Sequence, residues 1–192
     1  MILSTLTFTL KLIDMFRNLS SVMLLAALAA PALLPAQRLF TRDAKVYFDA
    51  TSKNSPERIE ATAKSGTLVI DLASSRAEAA ILVKSFLFEK SLMQEHFNEN
   101  YMESTKFPNG VFTGKINEKI DFTKNGTYDI SATGDFTLHG VTKARTLKGK
   151  ITVNQASLSI TTDFDVALAD HKIEVPQIVF VKIAQIIKVK NK

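Results

Sequence analysis

The chain has 192 residues, of which 46% are apolar and 22% are charged, so it is long enough to bury one sizeable core. Its 24 Lys and Arg residues exceed its 19 Asp and Glu residues, but the excess is spread along the chain without a basic block, which disfavours nucleic-acid binding. The lack of cysteine excludes disulfides, thiolate metal sites and an anchor attached through an N-terminal cysteine.

The N-terminal segment has the layout of a secretory signal. Met15 and a lone Arg17 precede an uncharged apolar run over 22–34, and a small-residue cleavage site ends at Ala36. The run is shorter than the roughly 20 apolar residues that a membrane-spanning helix needs. We therefore predict that 1–36 is a cleaved signal peptide, with Met15 as an alternative start, and that the protein is periplasmic or secreted. A membrane anchor is the alternative.

The mature chain, 37–192, is predicted to be a single domain made mainly of antiparallel strands. Apolar and polar residues alternate with a period of two in most segments, and turn residues separate these segments. The predicted strands are 44–50, 57–63, 66–73, 79–88, 110–122, 127–138, 143–154, 156–168 and 184–190. The predicted turns are Asn54-Ser55-Pro56, Asn109-Gly110, Asn125-Gly126 and His139-Gly140. Because no helix recurs between strands, the sheet is expected to form a barrel or a sandwich.

One or two short helices are also predicted. The segment 91–103 has Ser91 as its expected cap and should lie against the barrel or plug one end. Its apolar stripe at helical spacing consists of Met93, Phe97 and Tyr101. A second, shorter helix is predicted over 176–183, because a proline suits the first helical turn.

Inward-facing aromatic residues are the strongest indication of a ligand site. The candidate ligand-binding residues are Phe86, Phe88, Phe97, Tyr101, Phe112, Phe136 and Phe164. An interior filled by these side chains themselves is the alternative, since an eight-stranded barrel has room for either. Four small inward residues favour an open tunnel because they leave space beside the rings. These are Gly114, Ala132, Gly134 and Gly149.

The polar residues do not point to catalysis. His96, His139 and His171 lack the spacing of a metal motif, so we expect structural or surface roles for them, with no metal and no cofactor. No nucleophile elbow, phosphate loop or dinucleotide fingerprint occurs in the sequence. Three acidic residues on the predicted helix have no basic partner on the same face, so we expect that face to be exposed to solvent. These are Glu95, Glu99 and Glu103.

Two longer motifs resemble the YceI-like family of lipid-binding or polyisoprenoid-binding proteins. The first is the helix sequence 95–104 followed by Lys106-Phe107-Pro108, and the second is the strand and turn 134–143. Shorter supporting segments are 57–61 and 172–176, so the resemblance spans nearly all of 40–190. It implies an extended, lipocalin-like antiparallel barrel of about eight strands, with a long isoprenoid chain in its interior, and it implies export.

Three functions remain open at this point. The leading hypothesis is an exported protein that carries or stores a long apolar lipid and is not an enzyme. The second is an enzyme that uses His96 on a bound lipid. The third is a scaffold whose core is filled by its own side chains and whose outer face binds a partner. A homodimer through an edge strand or the helix is plausible but unspecified.

Overall fold

The computed structural model describes residues 38–155, 157–177 and 181–192. The predicted signal peptide lies outside the described residues. Within the described part of the chain, no helix is both long enough and apolar enough to cross a membrane.

The described part of the chain contains nine antiparallel strands, and eight of them close into a barrel. In chain order they are β1 (Arg38–Thr51), β2 (Glu60–Asp71), β3 (Arg76–Leu82), β4 (Leu87–Phe88), β5 (Asn109–Ile116), β6 (Gly126–Leu138), β7 (Val141–Asn154), β8 (Ser157–Ala167) and β9 (Ile183–Asn191). Around the barrel the order is β1, β2, β3, β5, β6, β7, β8 and β9, and the pairing of β9 with β1 closes the ring. The short β4 pairs only with the beginning of β2. The predicted mainly-β barrel of about eight strands is confirmed.

One strand replaces the two that were predicted over 57–63 and 66–73. The pairing of β1 with β2 slips between Val46 opposite Ala63 and Ala44 opposite Gly66, so β2 carries one extra residue there. Such a bulge reverses which residues face inward. The prediction was wrong because the alternation changes phase at this bulge while the strand continues.

Three other predicted boundaries also fail. The predicted strand 79–88 breaks into β3, a 3₁₀ turn at Val83–Ser85 and β4. Asn109-Gly110 is not a turn, because both residues pair with the end of β3, and β5 ends at Ile116 rather than at 122. In contrast, His139 and Gly140 both have positive φ, at 49° and 71°, and form the predicted tight turn between β6 and β7.

The predicted helix at 91–103 exists, but its details differ. α1 (Ser91–His96) continues as a single π turn over Phe97–Tyr101, in which the Met102 N–H donates to the Phe97 carbonyl five residues earlier. Lys90, not Ser91, is the N-cap residue, and no side chain caps the helix start. The prediction of a regular helix over 91–103 was too long, because the helix widens into the π turn and ends there.

The second predicted helix, 176–183, is wrong at its end. Ile183 begins β9, and Pro176 lies in irregular backbone. Residues 178–180 lie outside the described part of the chain. The connection from β8 to β9 instead begins with a 3₁₀ segment, Leu168–His171, that ends at Lys172 in the left-handed conformation with φ 54°.

Both covering segments of the barrel lie at one end. β3 and β8 both run towards this end, so α1 with its π turn and the connector segments 168–177 and 181–182 are found there together with the His139-Gly140 turn. We call it the helix end. Inward positions alternate along each strand, as on β6, where Ile130, Ala132 and Phe136 are buried.

Candidate functional site

A cavity of about 620 Å³ occupies the barrel interior. Its wall is built from the inward positions of every barrel strand and from the two covering segments at the helix end. On β1, for example, Val46, Phe48 and Ala50 line it at every second position. The side chains that face this space are apolar apart from a few at the ends. A barrel filled by its own side chains would not leave a continuous space of this size, which lies in the range of about 300–1,000 Å³ typical of ligand pockets.

All seven aromatic residues predicted to contact a ligand line the cavity. They are Phe86, Phe88, Phe97, Tyr101, Phe112, Phe136 and Phe164. Two of them come from the π turn, two from the segment around β4, and three from barrel strands. Burial raises the pKa of the Tyr101 hydroxyl, because the charged phenolate is poorly solvated there.

Four phenylalanine rings form an aromatic cluster beneath α1. Phe48 is its centre, with ring centroids 5.1 Å from Phe86, 5.4 Å from Phe97 and 5.8 Å from Phe88. Phe97 also packs 5.1 Å from Phe88. The cluster therefore fixes the helix to the barrel. The sequence analysis missed Phe48, although its alternation with Val46 and Ala50 marks it as inward-facing.

A second aromatic group lies across the barrel. The Phe136 ring meets Phe164 at 5.8 Å and His171 at 5.2 Å, both edge to face. The Arg145 guanidinium lies 5.7 Å from the centre of the Phe164 ring and donates a 2.6 Å hydrogen bond to the Asp165 carbonyl. These contacts fill the seam where β7 and β8 stop pairing, beyond Gly149 opposite Thr162.

Alanines, rather than the three predicted glycines, leave the space in the barrel. Ala132 lines the cavity as expected. Further small lining residues are Ala44, Ala50, Gly66, Ala77, Ala79, Ala80 and Gly110. Gly114 and Gly134 are paired directly across β5 and β6, and the Phe112 ring lies over Gly114. A Cβ on Gly149 would come within 2.3 Å of the Thr161 carbonyl oxygen. The three glycines permit close approach of neighbouring strands and do not enlarge the interior.

The cavity reaches solvent at the helix end. Exposed Lys90, Leu92 and His96 line it there, together with Glu57 and Lys182, and we call these five residues the mouth. Lys90 donates to the Glu57 carboxylate in an ion pair. This hydrogen bond holds the pKa of Glu57 below its usual value and raises the pKa of Lys90. An amphiphile could place its polar end among these charges and its apolar chain inside.

The three histidines occupy three different environments. His96 is exposed at the mouth. His171 is fully buried, and its Nδ1 lies 3.1 Å from the Val141 carbonyl, which makes Nδ1 the protonated nitrogen. His139 is nearly buried and contacts both a backbone carbonyl and Glu103. Within the described residues, no three His, Asp or Glu side chains are placed to hold a metal ion.

The expectation for the acidic stripe fails at Glu103. Glu95 and Glu99 are exposed, as expected. Glu103 follows the π turn with φ 40°, and its carboxylate lies 3.0 Å from His139 Nε2 and 3.6 Å from the Lys106 ammonium. The regular helix that would place the three carboxylates on one face ends before Glu103.

Burial of His171 gives a testable pH dependence. Burial lowers the pKa of this imidazole because the charged form is disfavoured, although the carbonyls of Val141 and Leu138 act in the opposite direction. The unfolded chain binds a proton at about pH 6.5 while the native chain resists it, so stability falls as the pH drops below that value. In urea unfolding, His171→Gln should show a weaker loss between pH 6.5 and 5 than the wild type. Equal slopes would contradict the assignment, and unfolding at pH 8 measures the lost packing alone.

Residues 40–192 match the family model of the YceI-like domain. The fold is similar to that of BcnA from Burkholderia cenocepacia, with a TM-score of 0.62 and 17% identity over 77% of this chain and 93% of that one. It is also similar to a polyisoprenoid binding domain from Saccharophagus degradans that is implicated in plant cell wall breakdown. That pair has a TM-score of 0.67 and 11% identity over 80% and 94% of the two chains. No curated protein sequence matches the chain.

Proposed function

Because this chain belongs to the YceI-like domain family, we propose that it binds one long apolar lipid, an isoprenoid or a similar chain, inside its barrel and catalyses no reaction. The single observation that carries this proposal is the apolar cavity of about 620 Å³. The similarity to the polyisoprenoid binding domain from Saccharophagus degradans supports the isoprenoid class.

The hydrophobic effect supplies the affinity in this proposal. Each buried CH₂ group contributes about 0.8 kcal/mol, so about fifteen such groups contribute about 12 kcal/mol. Association costs about 4 to 15 kcal/mol in lost translational and rotational freedom, and ordering a flexible chain adds to that cost. A long chain therefore binds where a short one does not, and chain length is expected to set the affinity.

The position of the polar groups supports binding without chemistry. The interior wall offers a ligand rings and aliphatic side chains. Its charged lining residues lie at the two ends, with Glu57, Lys90 and Lys182 at the mouth and Lys192 at the opposite end. The enzyme hypothesis needs a base that acts on the ligand, and its candidate is His96. That ring is exposed and makes no hydrogen bond to another described residue. Its Glu95 neighbour is exposed as well.

We also propose that the lipid is bound outside the cytoplasm. The support is the signal-peptide pattern over 1–36, with its uncharged run and its small-residue cleavage site. Cleavage after Ala36 makes Gln37 the first residue of the exported protein, and N-terminal sequencing of protein from the periplasm or medium measures this. A mature protein that keeps residue 22 would contradict it.

Filling the cavity should abolish lipid binding while the fold survives. Ala132→Phe adds a ring at a buried position of β6 that faces the barrel interior. We expect at least a tenfold loss of affinity for retinol, a fluorescent isoprenoid alcohol, because the ring takes the volume that the chain needs. Ala144→Phe adds the same ring at an exposed position of β7 and serves as the matched control. Unchanged retinol affinity in a folded Ala132→Phe variant would contradict a ligand-binding site in this cavity.

A further inference from the structure

The cavity has a second polar end, opposite the mouth. There β9 finishes at Asn191, which lines the cavity together with Thr162 of β8. Asn191 lies opposite Thr162 on one side and opposite Val46 of β1 on the other. Because Ile187 and Val189 line the cavity at alternate positions of β9, the Asn191 side chain also points inward. An amide and a hydroxyl group therefore face the interior among apolar neighbours.

The end of β9 is held on both of its sides. Lys192 exchanges two backbone hydrogen bonds with Lys45 of β1, with N···O distances of 2.8 and 2.6 Å. On the other side, the Asn191 Nδ2 atom donates to the Thr162 Oγ1 atom at 2.8 Å. These contacts fix the position of the amide at the cavity wall.

One atom of this amide is buried without a partner. Among the described residues, three side chains have a buried polar atom that makes no hydrogen bond, and they are Asn98, His171 and Asn191. Of these three, only Asn191 lines the cavity. The unpaired atom is its Oδ1. Leaving a buried acceptor unpaired is unfavourable, so a ligand group that pairs with it gains affinity.

The chemistry of the amide selects the polar group of the ligand. The Oδ1 atom accepts a hydrogen bond, so a hydroxyl group can donate to it and a hydrocarbon cannot. If the amide is turned over, the Thr162 hydroxyl donates to Oδ1, and Nδ2 becomes the atom that needs a partner. A hydroxyl group both donates and accepts, so it satisfies the amide in either orientation.

We propose that Asn191 and Thr162 form the site for the polar end of the lipid, and that the lipid is a long apolar alcohol. This inference deepens the proposed function and rests on it, because it treats the cavity as a lipid site. The hydroxyl group pairs with Asn191, and the chain runs along the interior towards the mouth. The strand from Lys182 at the mouth to Asn191 spans about 30 Å, so a long chain fills the space between the two ends.

The test compares two ligands that share one chain. Retinol ends in a hydroxyl group, and anhydroretinol is the hydrocarbon that forms when retinol loses water. Both fluoresce, so titration of the full barrel with each gives a dissociation constant. The quantity compared is the change that one substitution causes for each ligand, because this comparison cancels the different solubilities of the two ligands in water.

Asn191→Leu replaces the amide with an apolar side chain of similar size. We expect it to weaken retinol binding by about three- to tenfold, the fold-change of one net hydrogen bond, and to leave anhydroretinol binding unchanged or stronger. Asn191→Ala removes the amide without filling its place and should show the same selective loss. Asn154→Leu makes the leucine replacement at the exposed end of β7 and should change the affinity for neither ligand.

Two results would overturn the inference. One is an equal loss of both ligands in Asn191→Leu, which would mean that the substitution only disturbs the cavity. The other is unchanged retinol binding, which would place the hydroxyl group elsewhere. Retinoic acid, the carboxylate with the same chain, tests the exposed Lys192 beside the site. A loss in Asn191→Leu for this carboxylate and not for the alcohol would contradict an alcohol site. Failure of all three ligands to bind the wild type would count against the lipid site itself.

Discussion

Replacing Phe48 with alanine is expected to destabilise the protein by about 3 to 5 kcal/mol, the cost of deleting a buried phenylalanine ring. Phe48 is only 8% exposed and contacts Phe86, Phe88 and Phe97 at once. Its loss removes the ring that fixes α1 to the barrel. Urea unfolding should show the destabilisation, and hydrogen exchange should show faster exchange of the α1 amides.

Phe40 provides a matched control on the same strand. It is 72% exposed, so Phe40→Ala removes the same ring from a position that buries little area. We expect a change within about 0.5 kcal/mol, as for most surface substitutions. If both variants lost the same stability, the aromatic cluster would not be what anchors the helix.

The second large effect is expected at Gly134. A Cβ atom there would lie 2.2 Å from the Thr113 carbonyl oxygen and 2.3 Å from the Gly114 Cα, so the backbones of β5 and β6 must separate to admit it. We expect Gly134→Ala to destabilise the barrel by about 3 kcal/mol or more, the upper range for overpacking, because rigid backbone must move. Thermal and urea unfolding measure it.

Gly126→Ala is the control for this substitution. Its Cβ atom would meet only the Tyr128 side chain, at 3.3 Å, and that ring can move. We expect a change below about 1 kcal/mol. If Gly134 instead lay on an open wall, as the sequence interpretation held, Gly134→Ala would be equally mild and would reduce only the volume available to a ligand.

The barrel could be predicted because alternation survives along most strands. On β6 the inward residues Ile130, Ala132 and Phe136 follow from period two alone. The same rule failed on β2, where the bulge between Ala63 and Gly66 shifts the phase and a single strand reads as two. A bulge is a feature of the pairing between two strands, and the residue pattern of a single strand does not show it.

The cavity could be predicted only in part. Alternation was enough to identify the inward aromatic residues, but it could not tell whether a small residue opens space or only permits close contact. Ala132 leaves open space in the cavity. Gly134 permits close contact instead, because the backbone of β5 occupies the space that a side chain at this position would need. That distinction depends on the distances between the strands and on the orientation of the Phe112 ring over Gly114.

The contact between His139 and Glu103 could not be predicted. His139 and Glu103 are 36 residues apart, and Glu103 reaches the imidazole only because the π turn ends the helix early and the chain then turns through a positive φ. No local pattern in the sequence encodes this meeting. Because the sequence does not show which residues a single histidine meets, the three histidines were expected to be structural or surface residues.

The most direct test of lipid binding is solvent extraction and native mass spectrometry of the protein purified from its own host. The account predicts one long apolar lipid per barrel, present in the wild type and in Ala144→Phe and missing from folded Ala132→Phe. A wild-type barrel that is folded, carries no lipid and takes up no isoprenoid chain offered to it would contradict the account.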